Sequence, residues 1–243
     1  MSVAWAAPHW TLPVPTTVVT NLVIAAQCVV LTLRLLPRSR SDLGRPWVLF
    51  FACMSVAALA GAVKHGYPPE TWQAMGFGAV VVSNTAIAVA AAFAERVTVR
   101  TVFRRGRVRA WLQRGIFAQA GVVCVWTVLR PGFLPALASA VAGLTPVLVA
   151  ESFRALRGRP GARAIAAGFA LTAGSGLIYV LGISLAPWIG PIDLAHLSIV
   201  ASLALIYRGV SERTALADVI DGREAPARAA AGEDGPSWSW LRT

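Results

Sequence analysis

The stretch PWVLFFACMSVAALAGAVK, residues 46–64, decides the fold. No charge falls between Arg45 and Lys64. As a helix rising 1.5 Å per residue, it extends about 28 Å, close to the hydrocarbon thickness of a bilayer. Six further stretches follow the same arithmetic: 16–36, 71–94, 111–129, 133–153, 162–185 and 193–210. The expected architecture is all-α, an integral membrane seven-helix bundle over residues 1–210. Residues 211–243 read as a polar cytoplasmic tail, partly disordered.

Composition supports that class. The chain has 243 residues, 56% hydrophobic and 14% charged, against about 25% charged in soluble domains. Mean hydropathy is +0.64. These values exclude an ordinary soluble enzyme, a disordered chain and a disulfide-rich module. Cys28, Cys53 and Cys124 lie inside apolar runs without metal or redox spacing, so they read as small apolar residues. The opening MSVAWAAPHWTLPVP has no basic segment and does not read as a standard signal peptide.

A net charge of +11 raises nucleic acid as a partner, and the placement of the charges argues against it. Of 22 basic residues, all but Lys64 are Arg, and most sit between the apolar runs. Arg38, Arg40 and Arg45 occupy the first loop. The third holds Arg96, Arg100, Arg104, Arg105, Arg107 and Arg109. The fifth holds Arg154, Arg157, Arg159 and Arg163, and the tail carries five more. The other side has only Lys64 and Arg130. The positive-inside rule then places the N-terminus outside and the C-terminus inside. Trp5, Trp10, Trp72 and Trp188 would anchor at the outer interface. The expected setting is a bacterial cytoplasmic (inner) plasma membrane, crossed several times. The arginine-rich inner face would touch anionic lipids, and its third loop would suit an acidic partner; a protein partner or a homo-oligomer is a further expectation.

Small residues predict close helix contacts: Ala57 with Gly61, Ala58 with Ala62, and Gly168, Gly174, Gly176 and Gly182 in the sixth span. Polar residues inside the spans gather toward the outer half. Thr17, Thr20 and Asn21 open the first span, with Gln27 near mid-depth. Gln73 and Asn84, eleven apart, share a face of the third. Thr172, Ser175 and Tyr179 follow helical spacing in the sixth, and His196, Val200, Leu203 and Tyr207 form a stripe in the seventh. Two arrangements suit them: a polar cavity open to the outside, or hydroxyls bonded to their own helices with amides clipping helices together.

His9, His65 and His196 all fall on the outer side. Asp193, three residues before His196 and just after Pro191, has the placement of a helix N-cap. His65, His196 and Asp193 are the candidate metal ligands, and zinc the metal. Several chemistries drop out. The single lysine sits at a helix end rather than in the bundle, where a retinal pigment needs it. A Gly-rich phosphate loop, an HExxH pair and a nucleophile elbow are absent. Glu95 and Glu151 lie toward the inner ends, too sparse for a carboxylate relay.

Three stretches, PTTVVTNLVIAAQ, FFACMSVAALAGAVKHGY and DLAHLSIVASLALIYRGV, resemble an uncharacterised bacterial family of seven-helix membrane proteins. The likeness rests on Gly61 four residues before His65-Gly66, on Asp193-x-x-His196, and on Tyr207-Arg208-Gly209. It covers about a quarter of the chain. The chain departs from that pattern at Asn21, where the family tends to have Asp, at Gln27, where it tends to have Glu, and at Gly190-Pro191-Ile192, where it has Asn-His-Asn. The layout is also distantly similar to the alkaline ceramidase and adiponectin-receptor superfamily, which implies a zinc hydrolase. The His-x-x-x-His pair of that superfamily is missing, because Ile192 and Val200 flank His196.

Three functions follow as expectations. One is a multi-pass membrane protein whose outer polar pocket binds a small molecule or lipid headgroup, as sensor, carrier or accessory subunit. The second is a zinc-dependent hydrolase of a lipid amide or ester. The third is a structural subunit of a membrane complex.

Overall fold

The computed structural model describes residues 15–38, 43–66, 72–103, 106–186 and 189–230, without the side chains of 15, 38, 72–75, 133 and 217–230. Seven α-helices follow in order: α1 Pro15–Leu35, α2 Gly44–Gly66, α3 Trp72–Val102, α4 Arg107–Leu129, α5 Phe133–Leu156, α6 Ala162–Val180 and α7 Pro191–Ala230. A 3-10 turn, Leu36–Arg38, extends α1. The described residues form no strand. All seven helices are long and apolar enough to cross a membrane, as the sequence predicts.

The helix ends differ from expectation where local chemistry outweighs hydropathy. The α3 helix runs two turns past residue 94 to Val102. Those turns, ERVTVRTV, still bury Glu95, Val97 and Thr98 against the bundle. The α6 helix stops at Val180, short of 185, because Gly182 takes φ +66. There Gly182 N–H donates to Tyr179 C=O and Ile183 N–H to Ile178 C=O, a Schellman closure that needs a left-handed residue. Gly158 closes α5 in the same way, with Gly158 N–H on Ala155 and Arg159 N–H on Arg154.

Six helices close a ring. Helix α1 packs on α2 and α7, α2 on α3, α3 on α5, α5 on α6, and α6 on α7. Helix α4 stays outside, against α3 and α5, burying only the stripe Ile116, Ala120, Val123 and Thr127. Exposed Val19, Leu22, Val29, Val30 and Leu33 give α1 an apolar outer face suited to lipid.

The starts of α1, α3, α5 and α7 define one end of the ring, the N-terminal pole. The opposite pole carries the loop arginines other than Arg130. Toward the arginine pole the ring is filled by aromatic residues. Trp47 meets Phe50 edge-on at 5.5 Å, Phe169 at 6.4 Å, and Phe51 meets Tyr207 at 6.4 Å.

The tightest approach joins α6 to α7. A Cβ on Gly168 would lie 2.5 Å from Ile206 Cγ1 and 2.8 Å from the Ser202 carbonyl. A Cβ on Gly161 would overlap the Gly209 carbonyl. Of the small residues expected to pack in α6, only Gly168 does so. Gly174 and Gly176 face open space, and Gly182 serves the cap.

Candidate functional site

A cavity of about 300 Å3 lies inside the ring at the N-terminal pole. Five helices bring polar groups to its wall. They are Asn21 from α1, Lys64 and His65 from α2, Ser83 and Asn84 from α3, Ser175 and Tyr179 from α6, and His196 from α7. Ile24, Met54, Ile87, Ile192 and Ile199 supply apolar wall between them.

The start of α7 sets one side of the site. Gly190 is the N-cap residue, its C=O accepting from Leu194 N–H at 3.1 Å, and Pro191 follows with φ already suited to a helix. Asp193 is therefore the third helical residue, not the N-cap expected from sequence. Its carboxylate reaches back to Gly190 N–H at 3.2 Å, half of a capping box. It also accepts from the hydroxyls of Thr16 at 3.2 Å and Thr17 at 2.8 Å on α1. Asp193 is thereby buried and triply bonded, and it stands behind the cavity wall.

Thr20 holds His196. Its hydroxyl donates to the Thr17 carbonyl at 3.1 Å and stands 2.9 Å from His196 Nδ1. A hydroxyl has one proton. Both bonds form together only if His196 Nδ1 carries the other proton and donates to Thr20. In the neutral ring the lone pair then sits on Nε2.

Asn21 sits in the space a side chain at residue 61 would occupy. A Cβ on Gly61 would lie 2.6 Å from Asn21 Oδ1, so the glycine of the Gly-x-x-x-His-Gly motif makes room for the amide. Asn21 Nδ2 donates to the Thr17 carbonyl at 2.9 Å. Asn84 Nδ2 donates to the Gly132 carbonyl at 2.8 Å, tying α3 to the turn before α5.

Of the expected pocket residues, Asn21, Asn84, Ser175 and Tyr179 line the cavity. Thr17 and Thr20 form a second row that holds Asp193 and His196. Gln27 lies deeper, donating to the Val200 carbonyl of α7 at 2.9 Å. The side chain of Gln73 and the whole of His9, Trp5, Trp10 and Trp188 lie outside the described residues. Thr172 turns to α7 instead, 2.6 Å from Ser202 Oγ. In the α7 stripe only His196 lines the cavity, while Leu203 and Tyr207 join the packed core.

Among the described residues no three His, Cys, Asp or Glu side chains gather closely enough to hold a metal ion. Asp193 gives its oxygens to Thr16, Thr17 and Gly190, and His196 Nδ1 is taken by Thr20. His65, His196 and Asp193 therefore do not fit a catalytic zinc, which takes three protein ligands and a water.

Two features escape the sequence reading. Ser83 and Lys64 belong to the wall. Arg213, one of the tail arginines, is 7% exposed and forms a bidentate pair with Glu151, at 3.1 Å and 2.5 Å. The signal there was the lone Glu151 at the end of an apolar run.

No curated protein and no solved structure matches the chain, and nothing in the comparisons links it to the alkaline ceramidase and adiponectin-receptor superfamily. The match that does emerge spans residues 16–215, from α1 through the packed part of α7. The chain belongs to the family of unknown function DUF6962.

Proposed function

We propose that the cavity at the N-terminal pole binds a small molecule or a lipid headgroup, and that this pole faces the outside of a bacterial cytoplasmic membrane. The protein then acts as a sensor, carrier or accessory subunit. The observation that carries the reading is convergence: polar groups from five helices meet around one cavity, while the outer face of α1 is apolar. Ligand sites are concave, mostly apolar and furnished with a few placed polar groups. The aromatic fill below the cavity supports a binding site closed at its base rather than an open channel. Orientation rests on the arginines of the α1–α2, α3–α4 and α5–α6 loops. On this reading they face anionic lipids of the inner leaflet.

Two glycines of α6 give the test. A Cβ at Gly174 or at Gly176 meets nothing within 4 Å, yet only Gly176 lines the cavity. Gly176→Phe fills the site, and Gly174→Phe is its matched control. Native mass spectrometry of the purified protein reads the molecules that each variant retains. The expected result is a bound species kept by wild type and Gly174→Phe and lost by Gly176→Phe. Identical retention by all three sinks the reading.

A further inference from the structure

The corner where α5 turns into α6 carries a second cavity, at the pole opposite the first. Its volume is about 320 Å3, and Gly158, Arg159, Gly161, Arg163 and Glu212 line it. The corner is a fixed frame. Gly158 and Gly161 both take positive φ, +66 and +70, so the turn folds back tightly. Gly161 then packs backbone to backbone on Gly209 of α7, where a Cβ on Gly209 would overlap the Gly161 carbonyl. The N–H groups of Gly158 and Arg159 are bonded to α5 carbonyls, and Ala162 N–H to the Arg159 carbonyl at 3.2 Å. Arg159 and Arg163 thus stem from a turn whose backbone is held on both sides.

Charge sets the sign of an occupant. The side chains of Arg159 and Arg163 enter no ion pair among the described residues. Glu212 does not cancel them, because Arg208 already meets it: Arg208 Nε donates to Glu212 Oε1 at 3.0 Å. Counting Arg208, three guanidiniums stand against one carboxylate, so the corner stays positive. A guanidinium matches phosphate oxygens through paired N–H donors, which makes phosphate the anion that two arginines on one turn suit.

Depth sets its source. The apolar span of α5 ends at Leu156, that of α6 begins at Ala162, and that of α7 ends at Leu216. The cavity therefore lies where the spans give out, at the headgroup level of a bilayer. The last turn of α5, just before the corner, exposes Phe153 and Leu156, at 60% and 85%. A lipid brings acyl chains to that apolar surface, and a soluble phosphate does not.

We propose that this corner is a discrete site for one anionic phospholipid, an inference that rests on the arginine pole meeting lipid headgroups and not on the cavity at the other pole. Arg159 and Arg163 hold the phosphate, and the chains lie along Phe153 and Leu156. Basic pockets between helices bind anionic headgroups in this way. A discrete site differs from diffuse attraction in that these two arginines matter more than other exposed arginines of the same pole.

Native mass spectrometry of the full chain in detergent reads the binding of phosphatidylglycerol, with phosphatidylcholine and phosphatidylethanolamine as comparison lipids. Two double variants are set side by side. One is Arg159→Gln with Arg163→Gln. The other, Arg34→Gln with Arg107→Gln, removes equal charge near the end of α1 and at the start of α4. All four side chains are exposed, so neither pair of changes disturbs the packed core. The expected result is one phosphatidylglycerol bound at least tenfold tighter than phosphatidylcholine by wild type and by the Arg34, Arg107 variant. The Arg159, Arg163 variant should bind it no tighter than phosphatidylcholine. Equal weakening in both variants overturns the discrete site and leaves the general contact with anionic lipids standing. A wild type with no preference for phosphatidylglycerol overturns both. Tighter binding of phosphatidylethanolamine overturns the anionic headgroup, and displacement by glycerol 3-phosphate at equal concentration overturns the lipid as the source.

Discussion

At the level of single residues, the site depends on pairs in which one member makes space or supplies a proton for the other. Gly61 and Asn21 are the sharpest case, because an added Cβ would lie 2.6 Å from the amide oxygen. Gly61→Ala is expected to lower stability by about 1–3 kcal/mol, the usual cost of overpacking. Asn21→Ser in the same chain should return most of that loss. Thermal unfolding of the four proteins of this cycle checks it, and equal losses with and without Asn21 would contradict the geometry. Thr20→Val removes the acceptor for His196 Nδ1–H. A part-buried donor left unmet costs about 1–3 kcal/mol, and the ring is freed to change tautomer. The expected outcome is a lower melting temperature together with a changed histidine nitrogen-15 spectrum. A variant that melts lower with an unchanged spectrum would mean that Thr20 does not set the tautomer.

Among the helices, the arginine pole is held by a buried ion pair between α5 and α7. Glu151 is 1% exposed and Arg213 7%. Glu151→Ala leaves the guanidinium buried and unpaired, which costs about 3–5 kcal/mol. Replacing both, as Glu151→Leu with Arg213→Met, should be much milder. Denaturation of detergent-solubilised protein separates the two outcomes, and equal damage from both changes would show that the pair is not the source of the loss. This pair also shows what sequence can and cannot give. Seven helices were legible because length and apolar content are local properties. Asn21, Asn84, Ser175, Tyr179 and His196 were legible as polar residues at one depth for the same reason. Their partners were not. Thr17 and Asp193 stand 176 residues apart, and no periodicity within either helix reveals which threonine meets which oxygen. Charge counting misread Arg213 in the same way, since a paired arginine and a solvated one look alike in a loop tally. The end of α6 was misplaced because one left-handed glycine outweighs the apolar residues that follow it.

For the whole molecule, orientation decides which side of the membrane the cavity opens to. A cysteine at Gly132, in the turn between α4 and α5, should react with an impermeant maleimide on intact cells. One at Arg159 should react only after lysis. The reverse pattern would invert the bundle and turn the cavity inward. The ring itself has a consequence in time. Of the seven described helices α1 leaves the ribosome first and α7 last, yet Thr16, Thr17 and Thr20 meet Asp193 and His196 across that whole interval. During insertion of the five intervening helices, α1 waits with Thr20 and Asn21 bonded only to its own backbone. The cavity is complete only once α7 has been made, so a chain interrupted before α7 leaves open the very hydroxyls that α7 covers.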